Sequence, residues 1–182
     1  LKPGEVLKLR LTNDFPPNRD DLPANMSVPH LLNATNFHFH GSHASPSGIA
    51  DNVMRTMAPG ETYAVEIALP KDHTRGTYWY HPHHHGSADI QVASGMAGMT
   101  VAEGDFAGVP EIAAARERVL VLQQAVFDAR GMIESMGTLF PETSTRFLTV
   151  NGQRRPLIRM RPGEVQRWRL LQAAHQDDMF LE

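Results

Sequence analysis

Two short stretches of this sequence carry residues that could do chemistry. His38-Phe39-His40 and His81-Pro82-His83 each set two imidazoles two residues apart, and glycine closes each stretch at Gly41 and Gly86. On a β-strand, residues two apart share a face, so each pair can present both rings to one side of a sheet. The pairs begin 43 residues apart (81 − 38), with a strand-like run and turns between them. If their strands are neighbours, four imidazoles converge. Neutral imidazole suits copper, zinc, iron and nickel. Four such donors with no thiolate and no adjacent carboxylate ligand favour copper or zinc over magnesium or calcium. The cluster is internal and interrupted by Pro82, which excludes a purification tag.

The elements that must position these rings read as short strands separated by Pro, Gly, Asn and Asp, the pattern of an all-β sandwich or barrel. Strands are expected over Val6–Thr12, Asn36–His40, Thr62–Leu69, Gly76–His81 and Ala97–Ala102. The polar, glycine- and proline-marked stretch Gly104–Pro110 reads as a domain boundary. Beyond it, Glu111–Asp128 is rich in helix formers, while Val119–Leu122 is a compact apolar run that suits a buried strand. The expectation is a linker with a helical turn, then a strand. Arg130–Thr145 reads as loop, and Arg146–Asn151, Leu157–Arg161 and Val165–Leu171 as strands. Pro-Gly-Glu recurs at residues 3, 59 and 162, a weak sign that two related β-domains are joined in one chain.

Composition bounds the rest. The 182 residues are 41% hydrophobic and 20% charged, enough apolar content for a core. Lys and Arg total 17 against 20 Asp and Glu, a net charge of −3 that argues against a nucleic-acid binder. No apolar run approaches the roughly 20 residues of a membrane helix. There is no cysteine, which excludes disulfides, thiol nucleophiles, iron–sulfur clusters and thiolate metal sites in this chain. The chain begins at Leu1 without a basic-then-apolar leader, and it stops at Met179–Glu182 with no turn signal. Both ends read as cut, so a piece of a longer polypeptide is expected.

The strings FHFHG (Phe37–Gly41), Ala50-Asp51-Asn52, APGETY (Ala58–Tyr63), GTYWYHPHHHG (Gly76–Gly86) and QVASGMAG (Gln91–Gly98) together resemble the first cupredoxin domain of multicopper oxidases. The likeness is to the three-domain laccase and copper-efflux-oxidase branch, and it runs over most of residues 1–105. Leu148–Ala174 resembles the opening of that family's second cupredoxin domain. Phe39 stands where a Trp is more usual, which leaves the histidines untouched.

The resemblance implies an all-β, Greek-key cupredoxin-like sandwich followed by a partial second domain. The expected divisions are residues 1–106, a linker at 107–118, and 119–182. It implies that His38 binds a type 2 copper and that His40, His81 and His83 bind a type 3 copper pair. The other ligands, and a cysteine-containing type 1 site, would come from a C-terminal domain, so this chain would hold half of an oxygen-reducing centre. Completion would fall to the rest of the polypeptide or to a second chain. Asp51, 13 residues after His38, stands where the family places an acid that helps deliver protons to oxygen. The bland reading is a turn aspartate before Asn52. The implied function is copper-dependent oxidation of a phenol, aromatic amine or low-valent metal ion, coupled to reduction of O2 to water, in a periplasmic or secreted protein.

Other residues read as supporting or neutral. His84 and His85 are expected beside the site without ligating, and His30, His43, His73 and His175 on the surface or in loops. Trp79 and Tyr80 read as strand packing, and Arg167-Trp168-Arg169 as an alternating strand. Two rival classes remain open. One is a non-catalytic copper-binding module completed by a partner chain. The other is a zinc hydrolase, which needs a base and an open coordination position and has only Asp51 near in sequence.

Overall fold

In the computed structural model, the described residues are 1–19, 22–133, 144–174 and 179. The fold is all-β and cupredoxin-like, with eight strands and two short helices among those residues. The strands are β1 (Val6–Thr12), β2 (His38–His40), β3 (Thr62–Ala68), β4 (Gly76–His81), β5 (Gly98–Ala102), β6 (Arg116–Phe127), β7 (Thr145–Val150) and β8 (Gln166–Gln172). Helix α1 (Ala88–Ala93) lies between β4 and β5, and α2 (Pro110–Ala114) between β5 and β6.

Strands β1 and β3 form an antiparallel pair that aligns Leu7, Leu9 and Leu11 with Ile67, Val65 and Tyr63. Alternation puts these side chains on one face, where Val65 and Ile67 are almost fully buried. That face packs on a second sheet ordered β2-β4-β5, through Phe39 and Tyr78. Phe39 is 1% exposed. It therefore does two things at once: it inserts into the core, and it turns the histidines on either side of it to the opposite face.

The third sheet is ordered β7-β6-β8, with β7 antiparallel and β8 parallel to β6. Val126 on β6 is fully buried against Ile90 and Ala93 of α1, so a small second core joins the helix to this sheet. A polar tie lies nearby. Arg169 on β8 donates to both oxygens of Asp105, at 2.9 and 2.7 Å, and to Thr77 of β4. Arg167 also pairs with Asp105. Glu117 sits 2.8 Å from Arg169 Nε, an ion-pair contact rather than a hydrogen bond. Period-2 alternation on β8 sends both arginines to one side and leaves Trp168 half-exposed on the other.

Two expectations need correction. Leu157–Arg161 is not a strand: both neighbours of β6 are already taken, and Leu157 and Met160 are 76% and 50% exposed. An alternating pattern without a partner strand has no ladder to join. Helix α1 was not anticipated. It has six residues, too short for hydrophobic periodicity to register, and its place depends on packing against β6. In the stretch from Glu111 to Asp128, α2 is the expected helical turn and β6 is longer than the apolar run alone suggested. Most of the expected loop at Arg130–Thr145 lies outside the described residues.

Candidate metal centre

Strands β2 and β4 are antiparallel neighbours with His38 opposite His81 and His40 opposite Trp79. This register brings the two histidine pairs together. Ring centroids lie 5.2 Å apart for His38–His40 and His38–His81, and 5.4 Å for His40–His81. One ligand nitrogen from each of these three falls within 4.8 Å of the others. His83, just past the end of β4, stands 5.1 Å from His38 and 5.9 Å from His81 between ring centres. Its backbone N–H donates to Asn36 Oδ1 at 2.6 Å, and Asn36 Nδ2 donates to Val53 O, which pins the His83 loop beside β2.

The ring orientations are fixed by partners on the far nitrogens. Asp51 is 9% exposed, and its Oδ1 accepts from His38 Nδ1 at 3.0 Å and from the Phe39 N–H at 2.8 Å. His81 Nδ1 donates to the Pro82 carbonyl at 2.9 Å. Both arrangements leave the lone pair on Nε2, directed at the cluster, as in carboxylate–histidine–metal triads. His40 Nδ1 lies 3.2 Å from His81 Nε2 and donates to it; in its other tautomer it offers a lone pair to the same region. Trp79 stacks on His81 at 3.9 Å and tilts over His40 at 5.1 Å, so it walls the site rather than merely filling the strand.

Burial pushes the His81 pKa down to about 4, helped by His38, His40 and His83 and opposed by the Pro82 carbonyl. His40 is lowered as well, by desolvation first and then by His38 and His83. Neutral rings with crowded lone pairs are the protonation state that a soft or borderline cation needs. The donor set, all imidazole nitrogen, fits copper chemistry.

Asp51 is thus not simply a turn residue, since its carboxylate holds a candidate ligand. His84 and His85 lie beside the quartet, lining a cleft of about 790 Å³ together with Trp79, His81 and His83. His84 bonds Ser87 Oγ at 3.1 Å, and burial lowers its pKa. His43 is exposed in a loop. His30 and His73 lie in loops, as expected, but are buried there, 4% and 3% exposed. Each is held by a backbone carbonyl close in sequence, His30 by Val28 and His73 by Thr74, a local partnership that composition does not reveal. Gly86 is required here because a Cβ at that position would meet the His30 ring at 2.5 Å. His175 lies outside the described residues.

Residues 26–105 match the family model described as multicopper oxidase. Over that stretch the chain is similar to multicopper oxidases. Solved structures similar to it extend the likeness beyond that stretch. The multicopper oxidase from Campylobacter jejuni, described as a metallo-oxidase, is 25% identical over 86% of this chain and 29% of its own, with a TM-score of 0.60. A variant of the multicopper oxidase from the hyperthermophile Aquifex aeolicus shares the fold over 96% of this chain and 35% of its own, with a TM-score of 0.68 and 23% identity. A laccase-like multicopper oxidase from a lignin-degrading Ochrobactrum species matches over 96% of this chain and 36% of its own, with a TM-score of 0.60 and 21% identity. The chain therefore spans about a third of the length of these three solved structures.

Proposed function

We propose that His38, His40, His81 and His83 are the copper ligands this chain contributes to a trinuclear centre, with His38 toward a type 2 ion and the other three toward a type 3 pair. The observation that carries the reading is the convergence of three imidazole nitrogens within 4.8 Å on the register of β2 and β4. The parent protein is then a copper-dependent oxidoreductase of the laccase type. It takes single electrons from a phenol, an aromatic amine or a low-valent metal ion and uses O2 as the acceptor. Copper supplies the one-electron redox chemistry and the oxygen binding. The remaining ligands come from the rest of the polypeptide or from a second chain.

Within this proposal the chain's own residues have distinct tasks. Asp51 fixes the His38 tautomer through Nδ1, so that Nε2 stays a ligand. It also carries the proton-delivery role that the resemblance gives it, and its direct contact with His38 supports that role. The Pro82 carbonyl does the tautomer-fixing task for His81, and Asn36 sets the position of His83. Among the described residues no helix is long and apolar enough to cross a membrane. A periplasmic or secreted location belongs to the proposal.

The test is O2 uptake with a phenol, measured on the parent protein and on this chain. The parent should consume O2 and lose that activity when His40 and His81 are replaced by Gln. The chain alone, lacking cysteine, should show neither turnover nor the absorption near about 600 nm that blue copper–thiolate sites give. Unchanged turnover in the doubly substituted parent would remove the quartet from the mechanism.

A further inference from the structure

A second histidine pair lies apart from the quartet. His43 and His73 have ring centroids 5.2 Å apart with their planes at 57°. That is the separation of His38 and His40 in the candidate metal centre. His73 also meets Tyr78 edge-to-face at 4.9 Å. Along β4, Tyr78 points to the face opposite Trp79 and His81, and it touches Phe39 in the core. The β2–β4 sheet therefore separates this pair from the quartet.

The protonation pattern of His73 is set by its surroundings. Nδ1 donates to the Thr74 carbonyl at 2.7 Å, which leaves a lone pair on Nε2. That nitrogen is fully buried and has no hydrogen-bond partner among the described residues. Tyr78 cannot serve it, because its hydroxyl is already spent on the same Thr74 carbonyl at 2.8 Å. A buried acceptor left unmet is unfavourable. The neighbouring ring of His43 is exposed on the loop after Gly41.

We propose that His43 and His73 form a two-imidazole site for monovalent copper. Both donors are neutral nitrogens, which suit copper. A divalent ion with only two neutral ligands would bring two uncompensated charges against a buried ring, which is costly. Zinc would in addition need two more ligands to complete its tetrahedron. A monovalent d10 ion accepts two nitrogen donors in a near-linear arrangement and brings half the charge. His43 at the surface is the point of entry, and His73 is the fixed inner ligand.

The test is an anaerobic Cu(I) titration of the full chain, followed by two-bond ¹H–¹⁵N correlation of the histidine rings. His73 and His43 should shift together with one shared saturation point, with the His73 change centred on Nε2. In His43→Gln, an exposed substitution that spares the fold, the affinity read at His73 should fall at least about tenfold. The quartet rings should respond as in the parent chain. A His73 ring that stays unmoved at Cu(I) levels saturating the quartet overturns the proposal, as does an equal His73 response in His43→Gln. Zn(II) moving His73 at the same or lower concentration would overturn the choice of ion.

Discussion

Two polar clusters in this molecule are assembled on opposite principles. Around Asp105, two arginines and two carboxylates neutralise one another, and each charge faces an opposite one. In the quartet on β2 and β4, four rings of one kind face one another, and the fixed N–H groups of His38 and His81 point outward to Asp51 and Pro82. The first cluster satisfies itself and needs nothing from outside. The second directs lone pairs at a shared point, which folding alone does not reward: burial first, and then the neighbouring rings, lower the proton affinity of His40 and His81. Internal pairing marks a structural cluster; convergent, unneutralised donors mark one that waits for a cation.

The contrast breaks most visibly if Asp105 is removed. Asp105→Ala leaves Arg169, which is 6% exposed, with only its Glu117 contact and its hydrogen bond to Thr77. Breaking a buried pair costs about 3 kcal/mol or more, or roughly 6–12 °C in melting temperature for a chain of this size. Copper affinity should not change. Calorimetry and a copper titration on the same sample check both halves, and a stable Asp105→Ala chain would mean that the tie is ornamental. Asp105 itself is held below the usual carboxylate range, chiefly by the hydrogen bond from Arg169. Its stabilisation is therefore present above the ordinary carboxylate pKa and lost as pH falls through its lowered value.

His81→Gln should do the reverse. The ring is half-buried and its amide replacement is of similar length, so the fold should change little. Copper affinity should fall by at least about 100-fold, since even supporting residues of metal sites are worth 10–100-fold. A titration that shows less than a tenfold loss would argue that His81 is a wall of the site, like Trp79. Asp51→Asn is the next step down. Asparagine keeps the shape and can still accept from the Phe39 N–H, but it removes the charge that holds His38 Nδ1–H. The expected loss is about 10–100-fold in copper affinity, with the His38 tautomer shifted in its ring ¹⁵N spectrum. An unaltered tautomer would separate Asp51 from ligand positioning.

How much of this was legible in the sequence follows from the range of the interactions. The strands that carry the ligands were readable because HFH and GTYWYH combine aromatic and β-branched residues with period-2 spacing, both local properties. Their pairing was a conditional expectation, since register between strands 43 residues apart is fixed by Phe39 in the core and by Asp51. Trp79 against His81, the burial of His30 and His73, and the Asp105 tie all depend on residues distant in sequence or on packing. The strand expected at Leu157–Arg161 failed for the same reason: alternation describes a side chain's neighbours along the chain and says nothing about whether a partner strand is free.

The smallest expected effect sharpens the comparison by pH. With no metal bound, His81 titrates near 4 in the folded chain against about 6.5 when unfolded. Above 6.5 both states are neutral at this ring and it contributes no slope. Between 6.5 and 4 the unfolded chain binds a proton that the folded ring refuses, so folding stability falls as pH falls, and below 4 the loss is complete. The half-buried ring keeps the effect small. Carboxylates titrate in the same window, so the readout is a difference: urea midpoints of the parent chain and of His81→Gln, measured from pH 7 to pH 4. The parent should lose stability more steeply, by an amount that copper restores, because the metal takes the same lone pair as the proton. Parallel curves would mean that the crowded ring protonates as freely in the fold as outside it, and the contrast between a self-neutralised and a convergent cluster would no longer hold at His81.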